Sequence, residues 1–288
     1  MSDNRGIFSL EEFYNLQVSG ETTNVFEVFR YVSSVGVPEN SGGPAYAYAA
    51  GGFPGPNTII DRIDYANDTP TASPKGNLSS AKGWGEATGN TSYAYVGGGN
   101  PDGTKVDRVD YASDTSTASP KGPLSASHKY FGAAGNNSYG YYAGSAPSVI
   151  STVDRVDYSN DTATALAKGP LSIAKGNSQG CGNADYGYFA GGSTPSNIST
   201  IDRIDYSSDT STASARGGFS VPRYGSGATG NASYGYFAGG KKTPGTQKST
   251  VDRIDYSNDT PTASPKGPLS ATKNEIASCG NNDYGYVS

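Results

Sequence analysis

The chain has 288 residues, with 40 Gly, 22 Tyr, 17 Pro and 34% hydrophobic residues. No run approaches the ~18 apolar residues of a membrane span, the opening Met-Ser-Asp-Asn-Arg lacks the basic-then-apolar order of a signal peptide, and two cysteines cannot staple a chain this long. A net charge of -5 with a pI near 4.9 argues against bulk attraction to nucleic acid or anionic lipid, while 11% aromatic content does not fit a solvated coil.

In chain order, Ser9-Leu10-Glu11-Glu12 fits a capping box, and Leu10, Phe13 and Tyr14 have helical spacing for one apolar side. A short amphipathic helix is expected over 9–17, either packing on the domain's own end or docking on a partner through those three residues. In Asn24 to Val32, Val25, Glu27, Phe29 and Tyr31 alternate with Phe26, Val28 and Arg30, which predicts a strand. From Tyr46 onward the chain repeats itself. The segment Tyr46 to Gly52 returns from Tyr93, Tyr139, Tyr186 and Tyr234 and begins again at Tyr284, and an Asp-Arg-(Ile/Val)-Asp-Tyr box starts at Asp61, Asp107, Asp154, Asp202 and Asp252. Intervals of 46, 47, 48 and 50 residues between boxes mark an array of small supersecondary units that bury their faces against neighbours.

Each unit reads as four short strands. Period two puts Tyr186, Tyr188 and Ala190 on one face and Gly187, Phe189 and Gly191 on the other, so that large rings nest against glycine. In the box, Asp202, Ile204 and Tyr206 share one side and Arg203 and Asp205 the other. Ser207-Ser208-Asp209-Thr210 has tight-turn chemistry, a Thr/Ala/Ser strand over 210–214 follows, and Pro and Gly then carry the chain into a Gly/Ala/Asn strand before the next Tyr strand.

This unit resembles the kelch motif of β-propellers. The likeness rests on a basic residue opening the first strand (Arg223), a Gly230-Asn231 turn, an aromatic strand ending in Gly239-Gly240, and Val251 to Tyr256 followed by an Asn-Asp-Thr turn. It covers residues 35–288 and implies an all-β propeller. Strand counting gives five complete units, with half a unit left at the C-terminus. Residues 24–32 are expected to complete it as a sixth blade, closing a ring over 24–288 and leaving 1–23 as an anchor arm; five blades with both ends outside is the alternative.

The charges occupy repeated positions. Arg62 and Asp64, Arg108 and Asp110, Arg155 and Asp157, Arg203 and Asp205, and Arg253 and Asp255 are expected to form structural ion pairs across or between blades, since charges on interblade faces need partners. Lys82, His128, Lys175, Arg223 and Lys273 fall in one equivalent slot and are candidates for a rim that binds an anionic ligand or partner carboxylates. Catalysis finds little support, because the sole histidine, His128, takes a slot filled elsewhere by Lys or Arg. Asp68 and its equivalents read as turn residues, not as a calcium loop. Cys181 and Cys279 take equivalent positions in non-adjacent units and are expected to be free thiols. No cofactor and no metal is expected.

Repeats worded Val-Asp-Arg-Ile-Asp-Tyr-Ser-Asn-Asp-Thr, as in 251–260, also look like those of structural proteins of tailed phages, marine cyanophages in particular. That resemblance implies a non-enzymatic virion component made in the host cytoplasm: a capsid- or tail-attached decoration, fibre or knob. Other virion proteins would be its partners through the N-terminal arm, a host-surface glycan a further ligand, and oligomers are compatible with the arrangement. A carbohydrate-binding or carbohydrate-active propeller is the alternative.

Overall fold

Alternation of large and small residues turns each repeat into an antiparallel sheet whose two faces both become interfaces. The computed structural model describes residues 46–52, 55–243, 245–281 and 284–287; the predicted helix over 9–17, with Leu10, Phe13 and Tyr14, and the predicted strand over 24–32 lie outside them. Five sheets form the blades of a β-propeller. The first has three strands, Tyr46–Ala50, Ile60–Asp64 and Ser73–Pro74. The other four are four-stranded meanders, with the blade at Gln179–Gly182, Tyr186–Ala190, Ile201–Asp205 and Ser214–Arg216 as the type. Its register pairs Tyr186 with Asp205 and Tyr188 with Arg203.

The six full blades favoured by strand counting are not what the described residues contain; they contain five. The last unit has no Asp-Arg box, so Ser278–Gly280 and Gly285–Val287 remain a two-stranded sheet. This small sheet lies between the fifth blade and the first. The strand Gly227–Gly230 of blade five adjoins it on one side, and Tyr65 of blade one stacks on its Tyr286 on the other, ring centroids 5.4 Å apart. Two local details also differ from expectation. The box is followed by a 3-10 turn, such as Tyr206–Ser208, and the fourth strand begins at Ser214 instead of at 210.

The core sits between blades. Tyr188, Ala190 and Ile201 pack with Phe237, Ile254 and Tyr256 of blade five, whereas Phe189, Ile204 and Tyr206 pack with Tyr141 and Val153 of blade three. The two faces separate as period two requires. A box tyrosine lies over the second-strand tyrosine of the preceding blade at every described junction of complete blades: Tyr48 with Tyr111 at 5.0 Å, Tyr95 with Tyr158 at 4.5 Å, Tyr141 with Tyr206 and Tyr188 with Tyr256 both at 4.8 Å. Offset stacks of this kind add about 0.5–1.5 kcal/mol each beyond their buried area.

Each of the four junctions between successive blades is locked by a turn aspartate. Asp209 accepts bonds from Tyr141 Oη at 2.9 Å and Arg155 Nη1 at 2.7 Å of the preceding blade, and Lys168 Nζ stands 3.3 Å away. Asp114, Asp161 and Asp259 are held in the same way by Tyr48 and Arg62, Tyr95 and Arg108, and Tyr188 and Arg203. Glycine follows the clamping cation because Gly169 donates to the Asp209 carbonyl, and a Cβ there would strike the Ser211 backbone oxygen. The turn of one blade thus sits flush on the chain of the last.

Removing a clamped carboxylate strands an arginine and a lysine at a mostly buried junction. Asp209→Asn is expected to lower unfolding free energy by about 3–5 kcal/mol. Asp205→Ala, which removes only a solvent-facing cap, should lower it by about 0.5–2 kcal/mol. Urea unfolding followed by tyrosine fluorescence checks the ranking; equal losses would contradict the clamp.

Candidate functional site

The predicted ion pairs form with different partners. Arg62, Arg108, Arg155 and Arg203 bind the turn aspartates of the next blade, while the box residues expected to receive them, Asp64, Asp110, Asp157 and Asp205, accept from the amides of Ala66, Ala112, Ser159 and Ser207 and cap their own turns. Asp255 caps in the same way at Ser257. A carboxylate two residues before a free amide is satisfied locally, at less entropic cost than reaching across a strand. Arg253 lies over the Tyr234 ring at 4.1 Å, and no described acid reaches it.

The candidate basic rim is buried. Lys82, His128, Lys175 and Arg223 are 0–3% exposed, and each faces the first box aspartate of its own blade: Asp107 at 3.9 Å, Asp154 at 3.2 Å, Asp202 at 3.0 Å and Asp252 at 2.7 Å. Each cation also bonds a backbone carbonyl of its blade, as Lys175 does Phe189 at 2.8 Å and His128 does Gly144 at 2.7 Å. These groups rivet strands; they do not form an open binding rim. Burial lowers the Lys82 ammonium to about 8 and pulls Lys175 and Arg223 down as well. At Asp154 burial pushes the carboxyl up, but bonds from His128, Ser125 and Ala126 outweigh it and leave the acid below its ordinary range.

Two residues beyond that cation slot lies a feature that the repeat wording conceals. Trp84, Tyr130, Asn177, Gly225 and Glu275 occupy one equivalent position, and all five have left-handed backbone, φ between 47° and 62°. Four of them are not glycine, and such strain persists only where surrounding structure enforces it. Here the enforcing element is a relay of backbone bonds from unit to unit: Tyr130 N–H to Trp84, Asn177 to Tyr130 at 2.5 Å, Gly225 to Asn177 at 3.1 Å and Glu275 to Gly225 at 2.6 Å. The relay immediately precedes the first strands Glu86–Gly89, Gly132–Gly135, Gln179–Gly182 and Gly227–Gly230, which adjoin one another around the propeller axis. It therefore forms an arc at one end of the ring of inner strands.

The arc carries unlike side chains on a uniform backbone. Trp84 and Tyr130 stack, centroids 4.5 Å apart, and the Glu275 side chain leans over Gly225. Next along the inner strands come Glu86 and Gln179, whose side chains interact across the intervening blade. Burial raises the Glu86 carboxyl to about 8 against the pull of Gln179, so this acid is largely protonated at neutral pH. An aromatic pair beside an amide and carboxyl groups can stack on a flat apolar face and hydrogen-bond its polar edge. The sequence signal for the arc was the change of residue type from unit to unit beside near-verbatim repeats.

Both cysteines are free; burial raises Cys181 to about 12 and Cys279 to about 11, which makes them poor nucleophiles. Among the described residues, no group of three or more His, Cys, Asp or Glu is placed to hold a metal ion. No family model matches the chain, and no curated protein matches it.

Glu86 makes stability depend on pH. Its folded value of about 8 lies above the ordinary 4.5, so its contribution is complete at acid pH and is lost as pH rises from 4.5 through 8. Glu86→Gln should therefore leave Tm nearly unchanged at pH 5 and raise it at pH 8.5. A Tm difference independent of pH would show that Glu86 is not the buried acid described.

Proposed function

We propose that this protein is a non-enzymatic structural component of a phage virion, a kelch-like propeller borne on the particle as a decoration, fibre or knob and offering its axial face for contact with other proteins or the host surface. One observation carries the functional half: repeated charges are consumed in junction clamps and strand rivets, while the arc position changes from Trp84 to Tyr130, Asn177, Gly225 and Glu275 on a common backbone. A rigid frame with one heterogeneous face suits recognition better than turnover. The phage assignment rests on the repeat wording around Val251 to Thr260.

A carbohydrate-binding propeller is the second reading, favoured by the stacked Trp84 and Tyr130 beside Asn177 and Glu275. Sugars present apolar C–H faces to aromatic rings and hydroxyl edges to amides and carboxylates.

Mass spectrometry of purified particles tests the first reading: the chain should co-purify with virions at a fixed stoichiometry, and its absence overturns the assignment. Deletion of 1–23 should release the propeller from the particle in folded form. For the axial face, Trp84→Ala is expected to weaken binding to host cells or their isolated surface glycan at least about tenfold. Asp110→Asn, remote from the arc, should leave binding unchanged; equal losses in both variants would remove the arc from the contact.

A further inference from the structure

Four features of the described chain end unfinished at one place in the ring. The strand Gly285–Val287 pairs on one side only, with Ser278–Gly280, whereas every other second strand also pairs with a box strand. Lys273 stands in the cation slot, yet its buried Nζ has no hydrogen-bond partner, while Lys82, His128, Lys175 and Arg223 each face a box aspartate. Blade five presents Tyr236, Arg253 and Lys266, the set that clamps a turn aspartate elsewhere, with no described acid between them. Finally, Gly267 meets nothing within 4 Å, where Gly76, Gly122, Gly169 and Gly217 abut the next blade's turn.

All four lie where the outer half of a sheet belongs, beside the two-stranded sheet and blade five. We infer that residues 24–34 of this same chain fill that place, adding a strand to the free edge of Gly285–Val287 and supplying Glu27 to Lys273. The register follows from the repeat. Aligning Tyr31 with Tyr206 sets Phe29 on Ile204, Phe26 on Ile201 and Glu27 on Asp202, so the core-facing apolar, acidic and aromatic positions coincide, while Val28 and Arg30 stand at Arg203 and Asp205. The ends are also near enough. The chain enters blade one at Tyr46, that blade touches the two-stranded sheet through Tyr65 and Tyr286, and Tyr286 Oη bonds Asp68 at 3.0 Å. Fifteen residues separate Tyr31 from Tyr46, up to about 50 Å of extended chain, so the segment is tethered at high effective concentration beside the edge. An unpaired edge is otherwise a template for association. In this register Ser34 takes the place of the turn aspartate, so the blade-five clamp receives a hydroxyl where its counterparts receive a carboxylate.

That last mismatch permits a gain-of-stability test, independent of what the propeller binds. Ser34→Asp in the full chain should raise Tm by roughly 2–4 °C by completing the clamp; an unchanged or lower Tm overturns the register. Glu27→Lys should lower Tm by at least about 4 °C while Glu27→Asp leaves it within about 1 °C, and equal effects overturn the Lys273 pairing. Hydrogen exchange read by mass spectrometry should show slow amides in both 24–32 and 285–287 at all protein concentrations. Exchange of 24–32 at free-peptide rates overturns the proposal, as does protection of 285–287 that rises with concentration, which would assign the edge to a second copy.

Discussion

The turn-aspartate clamp is the interaction on which the propeller depends. Each blade is thin, with glycine through much of its inner half, and none of the sheets owns a core of its own; apolar burial is realised only when two blades meet. Shape-matched tyrosines supply the bulk of that contact, but stacking alone leaves neighbouring sheets free to slide. A carboxylate fixed at once by a phenol, a guanidinium and an ammonium removes that freedom, because all three donors belong to one blade and the acceptor to the next. Burial makes the arrangement unforgiving: the tyrosines involved are raised, Tyr48 to about 12 and the others further, by desolvation first and by the facing aspartate second. They remain neutral donors at any physiological pH.

The second set of charges works along the radius instead of around the ring. Lys175 with Asp202 and Arg223 with Asp252 join the segment entering a blade to its third strand, and the same cations take carbonyls of the second strand. Buried pairs of this type add little net stability compared with apolar residues of similar size, but they penalise every misregistered alternative in which one charge is left alone. In a chain built of near-identical units, where register errors by one whole repeat are an obvious hazard, that penalty gives specificity. His128 does the same work as its Lys and Arg counterparts, with one ring nitrogen near Asp154 and the other near the Gly144 carbonyl.

Against this uniform frame, the axial arc changes residue type from unit to unit. Its backbone is held in the left-handed region by bonds passed from one unit to the next, so side chains as different as indole, phenol, amide and carboxylate are displayed from a common geometry. Strain stored in a uniform scaffold and chemistry varied on top of it are what a recognition surface requires. Glu86 and Gln179 below the arc extend it inward with a carboxyl that burial keeps protonated near neutrality.

Sequence by itself determined the repeat, the strand faces and the allocation of charge to structural positions, because those follow from local rules: a period of two, turn chemistry around Asp209, and the impossibility of leaving Arg203 unpaired between sheets. It misassigned the acceptors, naming Asp205 where Asp209 of the same unit fills that role for the preceding blade, since partner choice between two aspartates four residues apart depends on how far one blade is rotated against another. It read Lys82, His128, Lys175 and Arg223 as an exposed rim for the same reason: their burial comes from the approach of second and third strands, and spacing carries no record of that. The number of complete blades was equally a tertiary matter, because a unit without its box becomes a blade only if chain from elsewhere pairs with it. The arc around Trp84 and Tyr130 emerged only in three dimensions, where residues about 46–50 apart along the chain become neighbours around one axis.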